Sequence, residues 1–154
     1  MINMSMMRSV ALAALFLRHG LRCTSQRRAL YRALTTTDSH PTVDHPHRSV
    51  SSQIAGISLA TAYNTLEAFC RAGLAAKLPG TNGPGPAGSA RYDAVVDDHV
   101  HARCEKTGAV RDVPDHVSRK ILGCIPPEML TQVEAKMGFK IKQVRIELVG
   151  ESRE

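Results

Sequence analysis

The chain has no tryptophan, and its three tyrosines and three phenylalanines make up only 4% of 154 residues. Any core must therefore be mainly aliphatic. It also lacks a long apolar run. The longest, Val10 to Leu17, has eight residues against about 20 needed to cross a bilayer as a helix, which excludes a spanning protein. Its four cysteines, Cys23, Cys70, Cys104 and Cys124, stand far apart with no C-x-x-C pair, a poor basis for a disulfide framework or a four-thiolate zinc site. Acidic residues are scarce at the start. Residues 1–92 hold three Asp/Glu beside ten Lys/Arg, whereas residues 93–154 hold eleven beside ten. The whole excess of the +6 net charge thus lies in the first three-fifths. Such asymmetry points to one part that meets a polyanion and another with a different task, the plainer alternative being a solvated basic surface.

What is present reads as globular: 43% hydrophobic and 22% charged residues, enough chain for one domain or two small ones. Met1–Leu17 has the outline of a signal peptide, but Arg18-His19-Gly20-Leu21-Arg22 stands where a small-residue cleavage site should be. Leu12, Leu15, Phe16 and His19 instead share one face of an amphipathic helix ending near Gly20. A reduced, cytoplasmic protein is expected. Thr24 is a good N-cap for a second helix with Leu30, Ala33 and Leu34 on one face. His40-Pro41-Thr42 opens a third segment, whose helix should start near Pro46, between His45 and His47. Ser58 caps the clearest helix, in which Leu59, Ala62, Tyr63, Leu66, Phe69 and Cys70 recur at helical spacing before Gly73 stops it. Leu74–Leu78 and Ala90–Val96 read as strands separated by Pro79–Ser89, where seven of eleven residues are Gly or Pro and a flexible loop is expected. Short helices followed by a two-stranded ribbon make a winged helix-turn-helix.

Past Asp93 the pattern changes. His99–Glu105 and Ala109–Val113 read as strands joined by a tight turn at Lys106-Thr107-Gly108. Val117, Ile121 and Leu122 mark a short helix; Pro127 starts another, with Met129, Leu130, Val133 and Met137 inward and Gly138 as its stop. Phe139–Val149 reads as the longest strand, with a bulge near Lys142-Gln143 where the apolar parity changes. The expected fold is α+β: a winged helix-turn-helix domain over residues 1–92, then a small α/β domain with a mostly antiparallel sheet over residues 93–154. No internal repeat is present.

His99-Val100-His101 sets two imidazoles on one face of a strand, since strand side chains repeat every two residues. Asp112 falls on the strand turning back beside it, and Asp93 ends the preceding strand. Two histidines and two carboxylates suit Fe²⁺, Mn²⁺ or Zn²⁺ rather than copper(I) or a thiolate cluster. On residue types alone, an exposed His-x-His beside scattered surface acids is the commoner arrangement.

Taken in order, Thr24-Ser25-Gln26-Arg27, His40-Pro41-Thr42, Ser58 to Leu66, Ala90-Arg91-Tyr92-Asp93, His99 to Cys104 and Gly108 to Asp112 form a series across roughly residues 10–150. The series resembles the ferric uptake regulator family of metal-dependent DNA-binding repressors. That resemblance implies a homodimer with an N-terminal DNA-binding domain and a C-terminal dimerisation domain, hinged near Asp93. It supplies a fifth ligand, His40, so that His40, Asp93, His99, His101 and Asp112 match the regulatory site of the peroxide-sensing branch. It implies one divalent ion per chain, Fe²⁺ or Mn²⁺, with Zn²⁺ as a further candidate. In the iron-uptake branch Glu typically replaces Asp93 and Arg replaces Asn64, which favours the peroxide branch here. The Ser58–Ala72 helix is then expected in the major groove of an inverted-repeat operator, with Thr61, Tyr63 and Asn64 facing DNA and Arg22 on phosphate. Oxidation of His40 or His99 is expected to release DNA.

The chain also departs from that family. Its common structural zinc uses two C-x-x-C pairs, but Thr107 follows Cys104 here and Gly150–Glu154 has no cysteine, so the four-cysteine site is expected to be absent. A substitute using Cys104 and Cys124 is a minor alternative. Three other readings compete: a divalent-metal-responsive repressor without peroxide sensing, a DNA-binding protein with a purely structural hinge metal, and a mononuclear iron enzyme with a facial triad from His99, His101 and one Asp. The last needs a substrate pocket while half of the chain looks like a DNA reader, so no enzyme is expected.

Overall fold

The computed structural model describes residues 4–37, 39–80, 89–94 and 97–151. The chain divides into two compact units, Met1–Val96 and Asp97–Glu154. The division falls after the strand that ends at Asp93, because Asp93 is laddered to Ala76 in the first unit.

The first unit runs α1 (Met4–Arg18), α2 (Ser25–Thr35), α3 (Asp44–Ser51), α4 (Leu59–Arg71), β1 (Ala76–Leu78) and β2 (Arg91–Asp93). Its boundaries are set by local chemistry. Thr24 accepts the Arg27 amide at 3.2 Å and Ser58 accepts the Thr61 amide at 3.0 Å, each satisfying an orphan donor of the first helical turn. Gly20 and Gly73 stop α1 and α4 at φ 70° and 72°, where a side chain is strained. The next residue closes each end: Leu21 donates to the Phe16 carbonyl at 2.8 Å and Leu74 to that of Phe69 at 2.9 Å. Leu74 and Ala75 are buried but precede the strand, which is therefore shorter than the sequence suggests. Pro46 lies in the first turn of α3, where its missing N–H costs nothing. Residues 81–88 of the expected Gly/Pro loop and residues 95 and 96 of the second strand fall outside the described residues.

Half of the scarce aromatics meet in this unit's core. Phe16, Tyr31 and Phe69 lie with ring centroids 5.3–5.6 Å apart, one pair stacked and two edge-on, surrounded by Leu12, Leu30, Leu34, Leu66 and Leu74. On α4 the buried residues are Ala62, Thr65, Leu66, Ala68 and Phe69. Leu59 and Tyr63, assigned to the apolar stripe by spacing, are 39% and 40% exposed. Helices α2, α3 and α4 with the antiparallel β1–β2 ribbon make the winged helix.

The second unit runs β3 (Val100–Cys104), β4 (Val110–Asp112), α5 (Asp115–Gly123), α6 (Pro127–Met137) and β5 (Ile146–Gly150). Its sheet has the order β4-β3-β5; β4 is antiparallel to β3 and β5 parallel to it. This sheet thus has one antiparallel and one parallel ladder, the parallel one reached through the two helices; with the β1–β2 ribbon, two of the three ladders described are antiparallel. Ser118 of α5, buried, accepts the Val100 amide at 2.7 Å and ties that helix to β3.

Two sequence expectations change here. The final strand covers Ile146–Gly150, not Phe139–Val149, so no bulge arises at Lys142-Gln143. Its partner β3 offers five residues, which register with 146–150 only, and the Ile141 amide is taken by Glu134 at 2.7 Å. Helix α6 has the expected start and stop, with Gly138 at φ 67°, but it buries no residue. Met129, Val133 and Met137 are 57%, 38% and 69% exposed, and Phe139, Leu148 and Val149 are exposed too.

Candidate metal centre and reading helix

In the first unit, His40 and Asp93 meet as a buried pair, Nδ1 to Oδ1 at 3.5 Å. Sequence distance is bridged by β2. Arg91 donates from Nη1 to the His40 carbonyl at 3.0 Å, and the Tyr92 amide donates to the Pro41 carbonyl at 3.0 Å. His40 is the one non-glycine residue at positive φ, 42°, among the described residues. That conformation costs about 1–2 kcal/mol and is held by the hydrogen bonds from Arg91 and Tyr92. The next residue in β2, Asp93, aims its carboxylate at the same ring.

In the second unit the donors are His99, His101 and Asp112. His99 and His101 flank Val100 at period two, and their ring centroids are 4.3 Å apart. Asp112 is the direct cross-strand partner of His101. Its Oδ1 lies 3.0 Å from His99 Nε2 and 3.6 Å from His101 Nε2. His99 Nδ1 lies 2.6 Å from the Asp97 carbonyl oxygen. A carbonyl only accepts, so Nδ1 carries the proton and the neutral ring keeps its lone pair on Nε2. That lone pair faces a carboxylate oxygen, an arrangement that repels unless positive charge lies between them. Either a proton on Nε2 or a divalent cation relieves it. The donor set therefore fits a borderline divalent metal, with the Asp97 carbonyl fixing the tautomer from behind.

The residues expected at DNA lie on or beside α4. Asn64 is exposed and Tyr63 is 40% exposed, so the tyrosine stands outside the core. Thr61 is half-buried, its hydroxyl 2.9 Å from Ser58 Oγ at the cap. Arg22 is exposed, its carbonyl accepting from Arg27 Nη1 at 2.9 Å. Sequence reasoning missed three contributors. The Asp97 carbonyl left no signal, being backbone. Arg91 and Tyr92 stand in the motif before Asp93 with no metal-donor signal of their own, yet they hold the His40 turn. Tyr92, fully buried, also donates from its hydroxyl to Glu67 Oε1 at 2.8 Å; burial first, and that bond second, push its phenol upward. Cys104 is half-buried at the end of β3, Cys124 is exposed after α5, and Cys23 and Cys70 lie in the first unit.

The sequence matches the profile of the Ferric uptake regulator family across residues 18–149. It is 33% identical over 136 residues to the peroxide operon regulator of Bacillus subtilis, covering 88% of this chain and 84% of that one. It is 39% identical over 93 residues to a peroxide-responsive repressor of Staphylococcus epidermidis, 60% of this chain and 59% of the other. Among solved structures, a zinc-bound manganese uptake regulator superposes with TM-score 0.60 at 29% identity, covering 92% of this chain and 98% of its own. The peroxide stress regulator of Campylobacter jejuni has TM-score 0.61 at 21% identity, covering 94% and 95%, a likeness of fold alone.

Proposed function

Because the chain belongs to the ferric uptake regulator family, we propose that it is a metal-dependent DNA-binding repressor that responds to peroxide. One divalent ion per chain would take its donors from His40, Asp93, His99, His101 and Asp112. Each is a His or Asp able to offer one ligand atom. The observation that carries this reading is the His99 ring, held by the Asp97 carbonyl with its Nε2 lone pair directed at Asp112. His101, whose Nε2 lies 3.6 Å from the same oxygen, adds a second imidazole beside it.

The protein acts as a homodimer on duplex DNA with an inverted-repeat operator, a half-site for each subunit. Helix α4 enters the major groove. Asn64 pairs with adenine, worth about 1–3 kcal/mol of discrimination, Thr61 and Tyr63 contact neighbouring bases or sugar, and Arg22 holds phosphate. The exposed apolar side chains of α6 and β5 form the subunit contact. Metal favours DNA binding by binding the DNA-competent arrangement more tightly than the other.

Fe²⁺ held by these residues would supply the capacity to activate peroxide, a capacity that Mn²⁺ lacks. Resemblance to the peroxide-sensing branch makes His40 and His99 the candidate rings: hydrogen peroxide would deliver one oxygen atom to a ring carbon and leave as water. The modified ring is a poorer donor, so the ligand set weakens and DNA is released. The 29% identity to a manganese uptake regulator supports a second reading, a repressor that responds to metal level alone. Selection of a duplex from a randomised pool by the Mn²⁺-loaded protein provides the operator. Binding to it is then measured with Fe²⁺ or Mn²⁺, with and without peroxide, followed by mass spectrometry of the histidine peptides. Peroxide should abolish binding of the Fe²⁺ form only, with one added oxygen on His40 or His99. Equal loss with both metals, or no added oxygen on either ring, leaves the metal-level reading.

A further inference from the structure

The two donors of the first unit are wired to the reading helix through one carboxylate. Glu67 lies on α4, three residues past Asn64 and four past Tyr63, so all three fall on adjacent turns of one face. Its Oε1 receives two donors, the Tyr92 hydroxyl at 2.8 Å and Lys77 Nζ at 2.6 Å. Lys77 and Tyr92 are direct cross-strand partners in β1 and β2. Both strands at the base of the wing are thus fastened to the same oxygen of α4. Tyr92 is fully buried, and along β2 it follows Arg91 and precedes Asp93. Arg91 and the Tyr92 amide hold the His40-Pro41 turn, while Asp93 faces the His40 ring. A displacement of His40 or Asp93 therefore moves a strand whose middle side chain ends on α4.

We infer that the Tyr92–Glu67 hydrogen bond is the link through which metal at His40 and Asp93 orders the DNA-reading helix, making Tyr92 and Glu67 positioning residues that touch neither metal nor base. The inference rests on the metal-responsive reading above. Lys77 adds charge to the same oxygen, but it is an exposed partner on a flexible stem. The rigid, buried member is the phenol. The bond has a neutral donor and a charged acceptor, and its loss should cut the metal-induced gain in DNA affinity about tenfold.

The test uses the full-length protein, Mn²⁺ as the metal and the duplex selected by the wild type. Tyr92→Phe removes one oxygen from a buried site and leaves Glu67 paired with Lys77 and water, so thermal melting should stay cooperative. It should bind Mn²⁺ within about twofold of wild type, by calorimetry, since Tyr92 is no ligand. The ratio of DNA affinities with and without Mn²⁺ should fall about tenfold. Amides of residues 59–71 should gain exchange protection on Mn²⁺ addition in the wild type but not in Tyr92→Phe. Glu67→Gln keeps an acceptor oxygen for the phenol and should retain the coupling, whereas Glu67→Ala should lose it. Glu67→Ala serves in place of Tyr92→Phe if the latter does not fold. A purely structural role would lower protection equally with and without Mn²⁺ and leave the ratio unchanged, which overturns the inference. If wild-type DNA binding ignores Mn²⁺ altogether, the metal-responsive reading fails first and takes this one with it.

Discussion

Ser58 allows two properties of α4 to be separated at one position. Its Oγ accepts the Thr61 amide at 3.0 Å and lies 2.9 Å from the Thr61 hydroxyl. Ser58→Ala removes the cap, which costs about 1 kcal/mol with a range of 0.5–2. The residue is exposed, so water replaces the lost acceptor and the low half of that range applies, giving about 0.5–1 kcal/mol. For a unit of this size the melting temperature should fall by roughly 2–8 °C. Ser58→Asp, by contrast, keeps an acceptor and adds an anion at the helix N-terminus, restoring stability to within about 0.3 kcal/mol of wild type. On DNA the order reverses. An anion at the start of a helix lying in the groove faces phosphates, so Ser58→Asp should bind weakly and lower the salt slope of binding by about one unit. Ser58→Ala should bind almost as wild type. Melting by circular dichroism and titration of labelled duplex at several salt concentrations measure both. If Ser58→Asp melts with Ser58→Ala, the cap is misassigned; if it binds DNA as wild type at every salt, α4 does not approach DNA by this end.

Other expectations follow from the geometry. His99→Ala should weaken Mn²⁺ binding by more than about 100-fold, read by calorimetry, with the melting curve little changed; unaltered affinity would remove His99 from the ligand set. Burial pushes the Cys70 thiol up to about 11, whereas Cys124 is exposed, so alkylation at pH 8 followed by mass spectrometry should label Cys124 well before Cys70. Comparable rates would contradict the packing of α4. Hydrogen bonds from Lys77 first and Tyr92 second hold the Glu67 carboxyl below its usual range. A depressed folded pKa contributes stability at neutral pH that is lost as pH falls through that value. The stability advantage of wild type over Glu67→Gln should therefore be present at pH 7 and shrink steadily below about pH 4.5; a difference that stays constant on acidification would refute it.

Legibility followed the range of each interaction. Thr24, Ser58, Gly20, Gly73 and Gly138 were readable because a cap or a left-handed stop involves residues within one helical turn. His99, His101 and Asp112 were readable from strand period and a tight turn. His40 is far from the other donors in sequence and entered only through family resemblance; the structure brings it to Asp93 by a turn that Arg91 and Tyr92 hold. Leu59 and Tyr63 carry the apolar spacing of a core stripe but stand exposed, since spacing records a helix face and not what covers it. The same limit explains α6. Its Met129, Val133 and Met137 have core periodicity, yet none of them is buried among the described residues. The Asp97 carbonyl lies beyond any side-chain pattern.

The second unit buries little of the apolar side chain it carries. Among its described residues, Val100, Val110 and Val113 are the buried apolar side chains. At about 1.5–3 kcal/mol for each buried side chain, three valines are a slender counterweight to the ordering of more than fifty residues. When the proposed subunit contact covers Met129, Val133 and Leu148, stability acquires a dependence on protein concentration. That share of its stability is small when chains are dilute and grows as they accumulate.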